Sequence, residues 1–151
     1  MTTGDDFKQA FDRLRSILEP YGHRMHVVDD SDQWYSVDMA PEAERNPTTW
    51  FGGVRRGKAY VSYYLMPVYV EPSLLEGLSP GLKRRMQGKS CFNFRAVDDV
   101  LFEELADLTR RGYAQTGGDP AWGVTTREEH DMAYRRAMSE KRQARRKATG
   151  R

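Results

Sequence analysis

An apolar stripe near the N terminus is the feature that most constrains the fold of this chain. Large apolar side chains recur every three or four residues from Phe7 to Tyr21, the period of an α-helix that is buried along one side. We therefore predict an amphipathic helix over residues 5–19 that ends at Pro20 and Gly22. A second layer of structure must cover this stripe, and the rest of the chain has to supply it.

The next part of the chain has the composition of β-strands. Residues 26–28 and 34–37 are β-rich runs on either side of a turn-forming cluster of aspartate and serine. Residues 50–54 and 59–66 predict a hairpin around a glycine-containing turn, and residues 90–94 alternate as a further strand. Between the hairpin and that strand, two short segments with proline first and glycine after the last turn predict brief helices.

A last helix of the folded body begins at Asp98 and ends near Gly112, with acids first and bases last, as the helix dipole favours. The order of elements predicts an α+β fold, in which N- and C-terminal helices pack on one face of an antiparallel sheet. We assign residues 1–113 to this domain, residues 114–124 to a linker, and residues 125–151 to a basic tail that is helical or partly disordered.

Charge is unevenly divided along the chain. The whole sequence has 24 lysine and arginine residues against 22 aspartate and glutamate residues. Residues 118–151 hold nine basic and five acidic side chains, so the preceding part is slightly acidic. Nucleic-acid binding is therefore expected only through the basic stretch 135–151. No aromatic residue follows Tyr134, which argues against base stacking along that stretch.

The sequence also argues against several classes of protein. A single cysteine, Cys91, rules out an internal disulfide bond, and the three histidines do not have the spacing of a zinc site. No apolar run approaches the ~20 residues that a membrane span needs, and the N terminus is acidic and amphipathic, unlike a signal peptide. We expect a cytoplasmic protein with no membrane partner.

One face of the predicted sheet is the first candidate site. Period two in the hairpin turns Val61, Tyr63 and Leu65 toward the helices and leaves hydroxyl-bearing side chains on the other face. That mixture of aromatic and polar groups is typical of a sheet face that is half covered or receives a ligand. The candidate ligand-face residues are Tyr60, Ser62, Tyr64, Lys89, Cys91 and Asn93.

Cys91 has a chemical interpretation as well as a structural one. A lysine two residues before it would lower the pKa of the thiol and make it a nucleophile, so an enzyme that uses Cys91 is one alternative function. Free cysteines more often behave as small packed residues. We therefore assign no catalytic residue and favour a protein that is not an enzyme.

The acidic turn between the first two strands is the candidate metal site. Asp29, Asp30 and Asp32 would offer the oxygen ligands that calcium, magnesium or iron prefer. Their spacing does not match a calcium-binding loop, and aspartate is common in exposed turns. No cofactor is predicted from these residues.

The run from Tyr60 to Phe94, YVSYYLMPVYVEPSLLEGLSPGLKRRMQGKSCFNF, resembles the YdhG-like family of small bacterial domains of unknown function. The family pattern is YVS…LMPVY…LLEG(I/L)SP.L.KRMQGKSC.NF, and a weaker resemblance covers residues 7–113. The resemblance implies a compact α+β domain comparable with the frataxin-type fold, and iron handling by analogy alone. Family members often have histidine at the position of Tyr64, and basic residues interrupt the acids of the first helix.

Three functions follow as expectations. The first is a small accessory or binding domain that holds a small ligand or a metal ion on the sheet face, with a small molecule or a protein as its partner. The second is an anion- or nucleic-acid-binding module that acts through the basic tail. The third is an enzyme that uses Cys91.

Overall fold

A computed structural model describes residues 3–148 of the chain, apart from the side chains of Thr3 and His130. Helices pack against a six-stranded antiparallel sheet whose strand order is β1-β2-β3-β4-β6-β5. The predicted α+β class is confirmed. The elements are α1 (Thr3–Gly22), β1 (His26–Asp30), β2 (Trp34–Asp38), β3 (Trp50–Arg56), β4 (Val61–Leu65), α2 (Met66–Val70), α3 (Pro80–Lys83), β5 (Met86–Gln87), β6 (Cys91–Phe94), α4 (Asp99–Thr116) and α5 (Pro120–Ala148).

Helices α1 and α4 pack on the same face of the sheet and bury the core. The α1 stripe predicted from the sequence is buried, with Leu14 and Leu18 fully enclosed. The helix runs through Pro20 to Gly22, so its predicted end was wrong. Proline leaves one carbonyl without its helical partner, but the turn persists because the Tyr21 ring packs 5.1 Å from that of Tyr113 on α4.

Helix α4 also runs past its predicted end at Gly112. This glycine faces α2 so closely that a Cβ atom would lie 3.2 Å from Cβ of Pro67. The helix ends at Thr116, where Gly117 adopts the left-handed conformation with φ 59°. Residues 114–116 therefore belong to α4 and residues 120–124 to α5, so the predicted linker shrinks to the short turn 117–119.

The segment after the hairpin differs from its prediction in two places. The hairpin strand ends at Leu65, and Met66–Val70 forms the unpredicted helix α2 with Pro67 in its first turn. The second predicted short helix stops at Lys83 instead of continuing toward Gly88. The chain turns into strand β5 there because Met86 and Gln87 pair with β6.

The basic tail is helical as far as it is described. Helix α5 begins at Pro120, where the Asp119 carboxylate accepts a hydrogen bond from the Ala121 N–H at 2.9 Å. Every side chain from residue 131 to residue 148 is exposed, and Met132, which could have docked on the body, is 65% exposed. Residues 149–151 lie outside the described part of the chain. Among the helices of residues 3–148, none has an apolar stretch sufficient to cross a membrane.

Candidate ligand-binding face

The sheet has one face under the helices and one that is partly open. Val61, Tyr63 and Leu65 of β4 are completely buried beneath α1 and α4, as their period predicts. Ser62 and Tyr64 alternate with them and are half-buried on the opposite side. We call this second side of β2, β3, β4, β6 and β5 the open face.

Three large rings form an aromatic cluster on the open face: Trp34, Trp50 and Tyr64. The centroid of the Tyr64 ring lies 5.5 Å from that of Trp50 and 6.0 Å from that of Trp34. The two indoles are 6.0 Å apart. All three rings remain partly exposed. Such spacings are typical of favourable aromatic pairs, and the exposed ring surface is available to a further ring.

Two backbone features place the indoles in this cluster. A Cβ atom at Gly53 would lie 2.8 Å from Cη2 of Trp34, so the absence of a side chain there lets that indole lie against the sheet. The pairing of β2 with β3 is irregular, with Val37 opposite Gly52 and Asp38 opposite Trp50. This β-bulge turns the Trp50 indole to the open face.

The ring nitrogens of both indoles are hydrogen-bonded. Trp34 Nε1–H donates to Asp29 Oδ2 at 2.7 Å, and Trp50 Nε1–H donates to Ser36 Oγ at 2.9 Å. These bonds hold the orientation of each indole, so the cluster is organised before any ligand arrives.

A row of polar side chains crosses the same face beside the aromatic cluster. The Ser62 hydroxyl donates to Asn93 Oδ1 at 2.7 Å, and the Cys91 thiol contacts the same oxygen at 3.3 Å. Asn93 Nδ2 donates in turn to Gln87 Oε1 at 2.6 Å. We call Ser62, Gln87, Cys91 and Asn93 the polar row. It spans β4, β6 and β5, and Gln87 at its end is exposed.

Cys91 has the environment of a structural thiol. Burial raises the pKa of its thiol, and hydrogen bonds with Ser62 and Tyr64 offset this only in part. The Lys89 ammonium, which the sequence suggested as its activator, lies instead over the Tyr69 ring at 5.8 Å from the centroid. A protonated thiol without an adjacent cation is a poor nucleophile, so the geometry does not favour the enzyme interpretation.

The open face includes four of the six predicted residues, Ser62, Tyr64, Cys91 and Asn93. Tyr60 lies outside β4, because the hairpin turn extends to it: the Gly57 N–H donates to the Tyr60 carbonyl at 2.9 Å, and strand β4 begins one residue later. The Tyr60 ring is 39% exposed and stacks under the Arg95 guanidinium. Lys89 lines a different concavity, beside Tyr69.

Two of the three acids predicted as metal ligands have other partners. Asp29 accepts the hydrogen bond of Trp34, and the Asp30 carboxylate lies 2.6 Å from Arg15 of α1. Asp32 is exposed in the turn. Within residues 3–148, leaving out the side chains that are not described, no group of three or more histidine, cysteine, aspartate or glutamate side chains is arranged to hold a metal ion.

A positively charged depression adjoins the aromatic cluster. It has a volume of about 560 Å³, and its lining contains two arginines and no acid. Arg56 donates to the Gly4 carbonyl at 3.0 Å, whereas Arg55 is exposed on the open face and makes no ion pair within the described chain. Register places Arg55 opposite Trp34 on one side and Ser62 on the other. An anionic group would therefore find its charge partner between the aromatic cluster and the polar row.

The sequence does not single out Trp34, Trp50 and Arg55 as site residues. Trp34 and Arg55 lie on the same side of their strands as Ser62 and Tyr64, so knowledge of the strand order would have been enough to place them on the open face. Regular alternation along β3 would place Trp50 on the helix side of the sheet, and only the β-bulge explains its position on the open face.

Comparisons of the chain with protein-family models, with curated proteins and with solved structures find no match. The resemblance of residues 60–94 to the YdhG-like family therefore stays a prediction. Function has to be argued from the geometry of the open face and its surroundings.

Proposed function

We propose that this protein is a small cytoplasmic binding domain, and that its open face holds a planar heteroaromatic ring bearing an anionic group. The observation that carries the proposal is the position of an exposed arginine, Arg55, beside three partly exposed aromatic rings on one sheet face. A lone half-buried thiol is compatible with the reducing conditions of the cytoplasm.

Nucleotides combine a flat aromatic ring, a polar ring edge and an anionic group, and the open face has a partner for each. A base offers a flat π-surface to Trp34 or Trp50, and stacking of this kind contributes about 1–3 kcal/mol per base. Its polar edge can bond the free amide hydrogens of Gln87 at the end of the polar row. Its phosphate can pair with the Arg55 guanidinium, whose fork geometry suits phosphate oxygens. The source is either a free mononucleotide or a nucleotide within a single strand.

Binding of mononucleotides and of a short oligothymidine strand to the full chain tests this proposal by calorimetry. Trp34→Leu should weaken binding about tenfold through the lost stacking surface, and Arg55→Gln about fivefold through the lost charge. The matched controls are Trp122→Phe and Arg84→Gln, whose side chains lie outside the depression, and both should bind as the parent chain does.

The comparison between probes identifies the source of the nucleotide. Equal affinity per base for both probes indicates a free mononucleotide, and tighter binding of the strand indicates a single-stranded nucleic acid. The proposal would be overturned if neither probe gave a heat of binding at millimolar concentration. It would also be overturned if the control variants lost as much affinity as Trp34→Leu and Arg55→Gln.

The exposed basic half of α5 favours a second candidate function, binding of nucleic-acid backbone. Its side chains are all exposed from residue 131 onward, so they are available to phosphates. Replacing Arg135, Arg136, Lys141 and Arg142 with glutamine in the full chain should reduce affinity for oligothymidine. It should also lower the slope of log affinity against log salt by up to about 3, at about 0.7 per phosphate contact. An unchanged slope, measured by fluorescence anisotropy, contradicts this role.

A further inference from the structure

A second concavity lies between α2, the residues that follow β5, and residues 127–134 of α5. Its volume is about 570 Å³, which lies within the range of small-molecule sites, and it shares no lining residue with the depression on the open face. Most of its wall is apolar, formed by Val68, Val70, Leu75 and Met86. We call it the α2–α5 groove.

Two cations from separate elements line this groove beside one aromatic ring. The Lys89 ammonium lies 5.8 Å from the centroid of the Tyr69 ring, and the Arg127 guanidinium of α5 lies 5.3 Å from it. Cation–π contact stabilises both positions but leaves both charges without a counter-ion. Neither side chain makes a salt bridge within the described chain, although Asp131 stands one helical turn after Arg127.

We infer that the α2–α5 groove binds an amphipathic monocarboxylate, an apolar chain or ring that ends in one carboxylate. The apolar wall removes the hydrocarbon part from water, which drives binding in proportion to the area buried. The carboxylate supplies the charge that Lys89 and Arg127 lack, and the arginine can hold it through two parallel hydrogen bonds.

Asp131, the acid in the groove, should make binding selective for ligands with a single carboxylate. Asp131 lines the same groove one helical turn after Arg127, and its exposed carboxylate would repel a second anionic group held in the groove. The groove should therefore prefer a monocarboxylate over a dicarboxylate of the same length. This inference does not depend on the open-face proposal, since the two sites use different residues.

Isothermal titration of the full chain with octanoate, 1-octanol and octanedioate tests the inference. Octanoate should bind at least tenfold more tightly than 1-octanol, because only the carboxylate can pair with the two cations. Lys89→Gln and Arg127→Gln should each weaken octanoate binding about fivefold and leave binding of the alcohol unchanged. The matched control Lys83→Gln removes an exposed cation of α3 outside the groove and should have no effect.

Asp131→Asn is expected to strengthen binding, whereas a variant that failed to fold could only weaken it. It should raise affinity for octanedioate by about fivefold and bring it close to that of octanoate. The carboxylate assignment would be overturned if 1-octanol bound as tightly as octanoate. It would also be overturned if Lys83→Gln lost as much affinity for octanoate as Lys89→Gln.

Discussion

Replacing Gly52 with alanine is expected to destabilise the fold by about 3 kcal/mol, near the upper end of the usual cost of overpacking. A Cβ atom at this position would lie 2.5 Å from the backbone carbonyl oxygen of Tyr64 on the neighbouring strand. A side chain could rotate out of the way, but this oxygen belongs to the β3–β4 ladder and moves only if the strands separate. The Leu18 side chain of α1 lies 3.7 Å from the same point, so the helix restricts movement on the other side.

Urea denaturation followed by circular dichroism measures this loss as a lower midpoint at unchanged slope. Gly81→Ala is the matched control, because its nearest neighbour would be the flexible end of Leu101 at 3.4 Å, an ordinary contact. Its stability should stay within about 0.5 kcal/mol of the parent chain. A Gly52→Ala protein as stable as the control would show that β3 and β4 do not approach as closely as described.

Periodicity predicted those parts of the fold in which one side of an element is buried. Leu14 and Leu18 of α1 and Val61 and Tyr63 of β4 are enclosed on the side that their spacing indicated. A buried stripe leaves a repeating pattern in neighbouring residues, so the local sequence contains the information. The α+β class followed from the order of such segments.

Helix ends were predicted less well, because contacts between distant residues decide them. Pro20 and Gly112 are ordinary signals for a helix end, yet α1 and α4 continue past them. Beyond both points the Tyr21 and Tyr113 rings pack on each other and on Phe51 of β3. Packing of the two tyrosine rings against buried Phe51 outweighs a local preference of about 1 kcal/mol for glycine, or about 3 kcal/mol for proline in a helix interior.

The candidate site was predictable only where its residues follow one period on adjacent strands. Ser62 and Asn93 meet because they are a register pair between β4 and β6. Trp50 escaped prediction because its position depends on a β-bulge, and the start of β4 was predicted two residues too early because the turn extends to Tyr60. The α2–α5 groove could not be foreseen, since Lys89 and Arg127 are brought together only by the docking of α5.

Raising the pH above about 10 is expected to destabilise the protein progressively, and Tyr63 should contribute most to this effect. Its phenol is fully buried, with the hydroxyl 2.5 Å from Thr109 Oγ1, and burial raises its pKa well above the ordinary value of tyrosine. In the unfolded chain the phenol loses its proton near pH 10, while the folded protein retains it. The folded state then binds more protons than the unfolded state. The contribution of Tyr63 to stability is therefore complete below about pH 10 and falls above it by about 1.4 kcal/mol per pH unit.

Tyr63→Phe separates this effect from the ionisation of other groups. At pH 7 the variant should be about 1 kcal/mol less stable, the usual value of one hydrogen bond, since the Thr109 hydroxyl still donates to the Leu105 carbonyl at 2.7 Å. Above about pH 11 the order should reverse, because the variant no longer has a buried phenol to ionise. Urea midpoints measured from pH 7 to pH 11.5 should therefore cross. Tyr134→Phe, at a site that is 62% exposed, should follow the parent curve throughout. Parallel curves for Tyr63→Phe and the parent chain would contradict the proton linkage, because the phenol of Tyr63 would then ionise equally in both states.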